Sequence, residues 1–229
     1  MKNSKNVLKG FLALISYFIL SNCAIPILNI MNVDYSKWSD NAKYLFNIGY
    51  ELLILIIIIF ILKDTVLNNF KIYIKNIKEY LSKYIKYWFI ALGLMYVSNF
   101  IIIFITKDIA QNEQGVRALF AANPILTFIL ASLLAPILEE LVFRLSIYKI
   151  IGKYKYLFII VSGLIFGSMH VLGNVSNWTD LLYLIPYSIP GSVFAYTLVK
   201  SDNIFVPISL HFIHNTFALL MQVLATFLQ

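Results

Sequence analysis

The sequence predicts an all-α fold, a polytopic bundle of about seven transmembrane helices with one amphipathic interfacial helix. Three observations carry this reading. The chain of 229 residues is 60% hydrophobic and 13% charged, whereas a soluble domain averages roughly half apolar and a quarter charged. The apolar residues gather in long runs, each close to the ~20 residues a helix needs to cross a bilayer. Leu53 to Leu62, almost entirely Leu and Ile, is the plainest of them. The lysines fall between the runs. Only helices and closed barrels satisfy their backbone in lipid, so several such runs in one chain imply a helix bundle in a cell membrane.

In chain order the expected spans are Val7–Met31, Leu45–Leu62, Tyr87–Thr106, Pro124–Tyr148, Tyr156–Leu172, Leu181–Val199 and Val206–Leu228. The first run is long and lacks a small-residue cleavage site, so it reads as a retained helix rather than a signal peptide. Pro186 and Pro190 make the sixth span the least regular, since proline cannot donate to the helix. Between the second and third spans, Phe70, Tyr73, Ile74, Ile77, Tyr80, Leu81, Tyr84 and Ile85 recur at helical spacing with lysines on the remaining face. That pattern predicts a helix in the cytoplasmic headgroup layer, within the basic segment 63–86. Residues 1–122 then form the N-terminal spans, and 123–229 the segment that carries the chemistry.

Lys2, Lys5 and Lys9, the lysines of segment 63–86, and Lys149, Lys153 and Lys155 fall on one side if there are seven spans. The positive-inside rule makes that side cytoplasmic and places the N-terminus there. The formal charge of +7 is therefore explained by orientation and anionic lipid, and no nucleic-acid partner is implied. A single cysteine, Cys23, excludes a disulfide within the chain and a multi-cysteine metal site.

Charged groups at membrane depth are costly and usually face a cavity. The strongest cluster is Glu139-Glu140-Leu141-Val142-Phe143-Arg144 in the fourth span. Glu140 and Arg144 are spaced i, i+4 with the acid first, the favourable order for a pair. Glu139 projects about 100° away and stays available. Pro136 should bend the helix nearby. Phe166 and His170 share a face of the fifth span, and His211 and Asn215 a face of the seventh. A bland reading remains beside the catalytic one, in which these groups only knit helices together.

Peptide hydrolysis needs an activated water and donors for the tetrahedral oxyanion. Glu139 with His170 can hold and deprotonate a water, while His211 and Asn215 donate to the oxyanion. A zinc reading uses His170, His211 and one of Glu139 or Glu140 as ligands, with the other glutamate as base. Asn215 is a poor zinc ligand and a good oxyanion donor, which favours hydrolysis without a metal cofactor. Neither a G-x-S-x-G elbow nor an H-E-x-x-H zinc motif is present. His214 falls off the main face in this reading, as a partner that supports the other polar groups or as polar filler, and Glu51 is assigned to a helix contact.

At these residues the sequence resembles the CPBP family, the CAAX-protease and bacteriocin-processing (Abi) intramembrane proteases. The family's EExxxR, FxxxH and HxxxN motifs read here as Glu139-Glu140 to Arg144, Phe166 to His170, and His211 to Asn215. The match covers roughly 123–220, with Pro207 shortly before the last histidine. The resemblance implies an intramembrane endopeptidase in which Glu139, His170 and His211 are catalytic and Asn215 supports them. It implies a substrate that is a prenylated protein, a leader peptide or a membrane protein. Richness in Ile, Lys, Asn and Tyr hints at an AT-rich bacterial genome, where a bacterial peptide or membrane-protein substrate is the expectation. Two rival classes are a non-catalytic membrane scaffold or bacteriocin self-immunity protein, and a small transporter using the same groups as a proton relay.

Overall fold

The computed structural model describes residues 2–227. Eight helices organise them: α1 (Lys2–Ile30), α2 (Asp40–Lys75), α3 (Ile77–Thr106), α4 (Gln111–Ala122), α5 (Pro124–Ile151), α6 (Lys155–Val171), α7 (Leu184–Ser201) and α8 (Phe205–Phe227). A 3-10 stretch, Trp178–Tyr183, leads into α7. Seven of the helical segments are long and apolar enough to cross a membrane, all but α4. Their outer faces carry large apolar side chains in the open, such as Phe60, 70% exposed, and Phe100, 71% exposed. Water would not tolerate such a surface on every helix, whereas lipid does. The chain is a multi-pass membrane protein. Leu228, which ends the last expected span, lies outside the described residues.

Local chemistry sets the helix ends. The Ser39 hydroxyl accepts from the Ala42 N–H at 3.3 Å and starts α2, and the Asn123 side chain accepts from the Leu126 N–H at 3.1 Å to start α5, with Pro124 at its first position. Lys107 after α3 and Asp202 after α7 close their helices in the left-handed region, at φ of 58° and 50°.

The separate surface helix expected over 70–85 does not form as one unit. Its first half continues α2 to Lys75 and its second half opens α3 at Ile77, with the break at Asn76. No glycine or proline occurs between Leu62 and Phe70 to stop a helix. The 36 residues of α2 therefore run on for roughly 54 Å, well past the ~30 Å hydrocarbon core. The lysines around Asn76 stand at the protruding ends of both helices. A short helix absent from the sequence reading, α4, fills the connection before α5.

Core residues come from both sides of residue 123: Ala13, Ile54 and Ile58 join Leu141, Phe143, Phe158 and Ala195 in one cluster. The closest crossing is between α6 and α7. A Cβ added at Gly163 would sit 2.0 Å from the Ser192 hydroxyl and 3.0 Å from its backbone nitrogen, and one at Gly191 would sit 3.0 Å from the Gly163 Cα. Small residues let these backbones touch, as membrane helices require when lipid supplies no hydrophobic drive between them.

Candidate active site

The helix carrying the glutamates is not regular. Two π-helical stretches, Ile129–Leu134 and Leu141–Ser146, flank the α-helical segment Ala135–Glu140. Wide turns of this kind re-aim side chains, and they gather at functional positions. Their origin can be traced. The Ala135 N–H reaches back five residues to the Leu130 carbonyl. Pro136, next in line, has no N–H to offer the Ala131 carbonyl. The carboxamide of Asn215, on α8, supplies the missing donor, its Nδ2 lying 2.7 Å from the Ala131 oxygen. In the second wide turn the Ser146 hydroxyl donates to the Leu141 carbonyl at 2.9 Å, and Ser162 on α6 donates to the Phe143 carbonyl at 2.6 Å. Side chains thus satisfy carbonyls in both wide turns.

Glu140 and Arg144 are fully enclosed and paired, Arg144 Nε lying 3.1 Å from Glu140 Oε2. The pair is held by charge rather than by a well-aligned hydrogen bond, because no guanidinium nitrogen meets hydrogen-bond geometry among the described residues. The Phe166 ring centroid lies 4.1 Å from the guanidinium carbon and the Phe194 centroid 6.0 Å, so the cation also rests on two π faces. This gives Phe166 of the F-x-x-x-H motif a physical role.

His211 bridges the two glutamates. Its Nδ1 lies 2.9 Å from Glu140 Oε1, and its Nε2 lies 3.8 Å from Glu139 Oε2. An ionised Glu140 can only accept, so it receives the Nδ1 proton and fixes the ring with Nε2 toward Glu139. Glu140 therefore engages His211 as well as Arg144, which the i, i+4 spacing alone did not reveal. On α6, His170 Nδ1 lies 2.9 Å from the Phe166 carbonyl and donates to it, which leaves Nε2 as an acceptor. The ring stacks on Tyr187 of α7 at 5.1 Å between centroids.

Glu139, Phe166, His170, His211 and Asn215 all line one cavity of about 620 Å³, within the range typical of ligand sites. His214 lines it too. Residues 211, 214, 215 and 218 follow i, i+3, i+4, i+7 spacing on one helix face, so the sequence held the signal that places His214 beside Asn215. Glu51 stands apart from the cavity wall. From α2 it approaches Glu139, and both carboxylates come near Tyr17 of α1. Among the described residues no three of His, Cys, Asp and Glu converge as ion ligands. Each nitrogen of His211 already faces a carboxylate.

Residues 121–217 match the family described as Rce1-like, type II CAAX prenyl endopeptidase. The chain is 33% identical over 115 residues to the protein named "Putative membrane peptidase YdiL" of Bacillus subtilis (strain 168), a match spanning 49% of this chain and 43% of that one. It is 30% identical over 112 residues to UPF0177 protein YvdC of Lactococcus lactis subsp. lactis (strain IL1403), spanning 48% and 41%. It is 49% identical over 53 residues to UPF0177 protein YajF of the same organism, spanning 23% and 24%. The chain thus matches less than half the length of each of these relatives. No solved structure matches it.

Proposed function

We propose that this chain, whose residues 121–217 match the Rce1-like family, is an intramembrane endopeptidase that hydrolyses a peptide bond with a water activated by Glu139 and His170. One observation carries the reading: Glu139, His170, His211 and Asn215, contributed by α5, α6 and α8, line a single cavity, while Glu140 and Arg144 are sealed behind it.

The chemistry follows from the atoms each group leaves free. Water sits between Glu139 and the His170 Nε2 acceptor. Glu139 takes one proton as the water oxygen attacks the carbonyl carbon. His211, its Nδ1 held on Glu140 at 2.9 Å, turns Nε2 toward the cavity as a donor to the developing oxyanion. The second amide proton of Asn215 does the same, the first being held on the Ala131 carbonyl. When the tetrahedral species collapses, the carbon–nitrogen bond breaks and Glu139 passes its proton to the departing amine. Preorganised donors in a site shielded from water stabilise charge far better than they would in solution. No metal takes part in this scheme, in which Asn215, a poor zinc ligand, serves as an oxyanion donor.

The substrate class is a membrane-associated or leader peptide, and the bilayer is the protein's other partner. The lysine-rich ends at 63–86 and 149–155 face the cytoplasm together with the N-terminus, as the positive-inside rule directs. The experiment is a peptidomic comparison of cells carrying the wild type and Glu139→Ala. Peptides that vanish only in the variant support the reading. Identical peptide sets sink it in favour of a non-catalytic membrane scaffold or self-immunity protein.

A further inference from the structure

The cavity is closed at one end of the bundle and loosely roofed at the other. Toward the lysine-rich end the floor is solid: Phe143, Arg144, Phe194 and Leu210 are at most 1% exposed. Below it, the Tyr84 hydroxyl donates to the Lys200 carbonyl at 2.9 Å, and Tyr73 is hydrogen-bonded to Ser209 at 2.6 Å. These bonds lace α3 to α7 and α2 to α8.

In the other direction the walls continue for several turns. Asn99 of α3 and Ala225 of α8 still line the cavity. Asn99 stands 22 residues beyond the start of α3 at Ile77, and Ala225 stands 14 beyond His211, which carries the walls roughly 20 Å from the catalytic groups toward that end. Lower down, Trp88 and Phe217 close the gap between these two helices, with ring centroids 5.6 Å apart. The roof is α4, whose Asn112, Val116 and Arg117 line the cavity. No residue of α4 is buried. Long hydrogen bonds from the Asn112 amide to the Tyr187 hydroxyl and from Gln222 to the Arg117 carbonyl, each at 3.3 Å and beyond the usual optimum, tie its wall-lining part to α7 and α8. Its firmer tie, Tyr44 to the Leu119 carbonyl at 2.7 Å, is at the far end of the helix. An element held by few buried contacts opens at low cost.

Resting on the protease reading above, we infer that substrate reaches Glu139 beneath α4, from the end opposite the lysine-rich turns, so that the bond cleaved belongs to an extracytoplasmic or outer-leaflet segment of an exported or membrane polypeptide. A cytoplasmic C-terminal tail meets the closed floor instead. The polar lining of the path, with Asn99, Asn112, His214 and Gln222 along it, suits an extended peptide. Its backbone groups need hydrogen-bond partners once they leave water.

Two readouts test this in a Cys23→Ser background. Single cysteines at Asn99 and, as a second probe on α4, at Val116 are exposed in sealed cells to a membrane-impermeant maleimide. Asn99→Cys and Val116→Cys label from outside, and Lys153→Cys labels only after permeabilisation. Bulky modification of Asn99→Cys lowers cleavage at least tenfold, while modification of Lys153→Cys leaves it unchanged. Labelling of Lys153→Cys but not of the other two from outside overturns the route, as do Glu139-dependent products that map to cytoplasmic segments. Absence of any Glu139-dependent product with outside labelling intact strikes the protease reading alone.

Discussion

The carboxylates and histidines divide into groups that touch the cavity and groups that hold those in place. On the proposed mechanism, Glu139→Gln, His170→Ala and His211→Ala each remove a group assigned to the reacting atoms, so each lowers cleavage by roughly 10²–10⁴-fold. Folding is retained, and the check is the cleavage rate per folded protein beside a detergent melting curve. Glu140→Gln and Arg144→Ala behave differently. Both side chains are fully enclosed, and removing one strands the other at a cost of about 3–5 kcal/mol. Melting temperature and abundance therefore fall together with activity. Glu51 lies outside the cavity wall but near Glu139. Its Oε2 is enclosed, and no hydrogen-bond partner is found for it among the described residues. Glu51→Gln exchanges an enclosed carboxyl group for an uncharged amide of the same size outside the cavity wall, so it retains both fold and cleavage. Loss of cleavage with an intact fold would instead place Glu51 in the catalytic set.

At the scale of single elements, α5 owes its aim to one proline and one asparagine. Pro136 leaves the Ala131 carbonyl to Asn215, and the wide turns on either side carry Glu139 toward the cavity and Glu140 toward Arg144. Pro136→Ala offers that carbonyl a backbone donor and frees Asn215. Cleavage falls while the helix itself gains a hydrogen bond, so activity and melting temperature move apart. Parallel losses in both would assign Pro136 to packing alone. Asn215→Ala lowers cleavage in the same ~10²–10³ range as loss of other oxyanion donors. The α6–α7 crossing makes a further demand, because Gly163 has no room for a side chain. Gly163→Leu pushes the helices apart at an overpacking cost of typically 1–3 kcal/mol. His170 and its stacking partner Tyr187 sit on those same helices, so a loss of cleavage accompanies a lower melting temperature.

For the whole molecule, orientation and metal content are the measurable properties. Cysteines introduced within 63–86 and 149–155 stay unlabelled by an impermeant reagent in sealed cells, since the lysines of both segments gather at one end. Labelling of either one refutes the topology. On the metal-free reading, purified protein carries no stoichiometric zinc and cleavage survives chelation, because Asn215 is a poor zinc ligand and a good oxyanion donor. One zinc per chain with chelator-sensitive cleavage would reverse that assignment.

Much of this was legible in the sequence, for a local reason. Span lengths follow from the thickness of the bilayer, and the motif pairs Glu140–Arg144, Phe166–His170 and His211–Asn215 each lie one helical turn apart, so their shared faces are fixed by the 3.6-residue period. The family resemblance rested on the same residues. What crosses from helix to helix was not legible. Periodicity cannot tell that His211 reaches both glutamates, that Asn215 answers a carbonyl left by Pro136, or that Glu51 approaches Glu139 from another helix. Helix α4 was missed because its polar composition reads as a loop. The surface helix over 70–85 was separated from its neighbours because charge changes at Lys63 while helical geometry does not. The sequence by itself determined the spans, the lysine asymmetry and the chemical inventory, all set by properties of single residues and their near neighbours. Only the tertiary structure decided which of those groups meet and at which end the cavity is roofed rather than sealed, because both depend on packing between segments far apart in the chain.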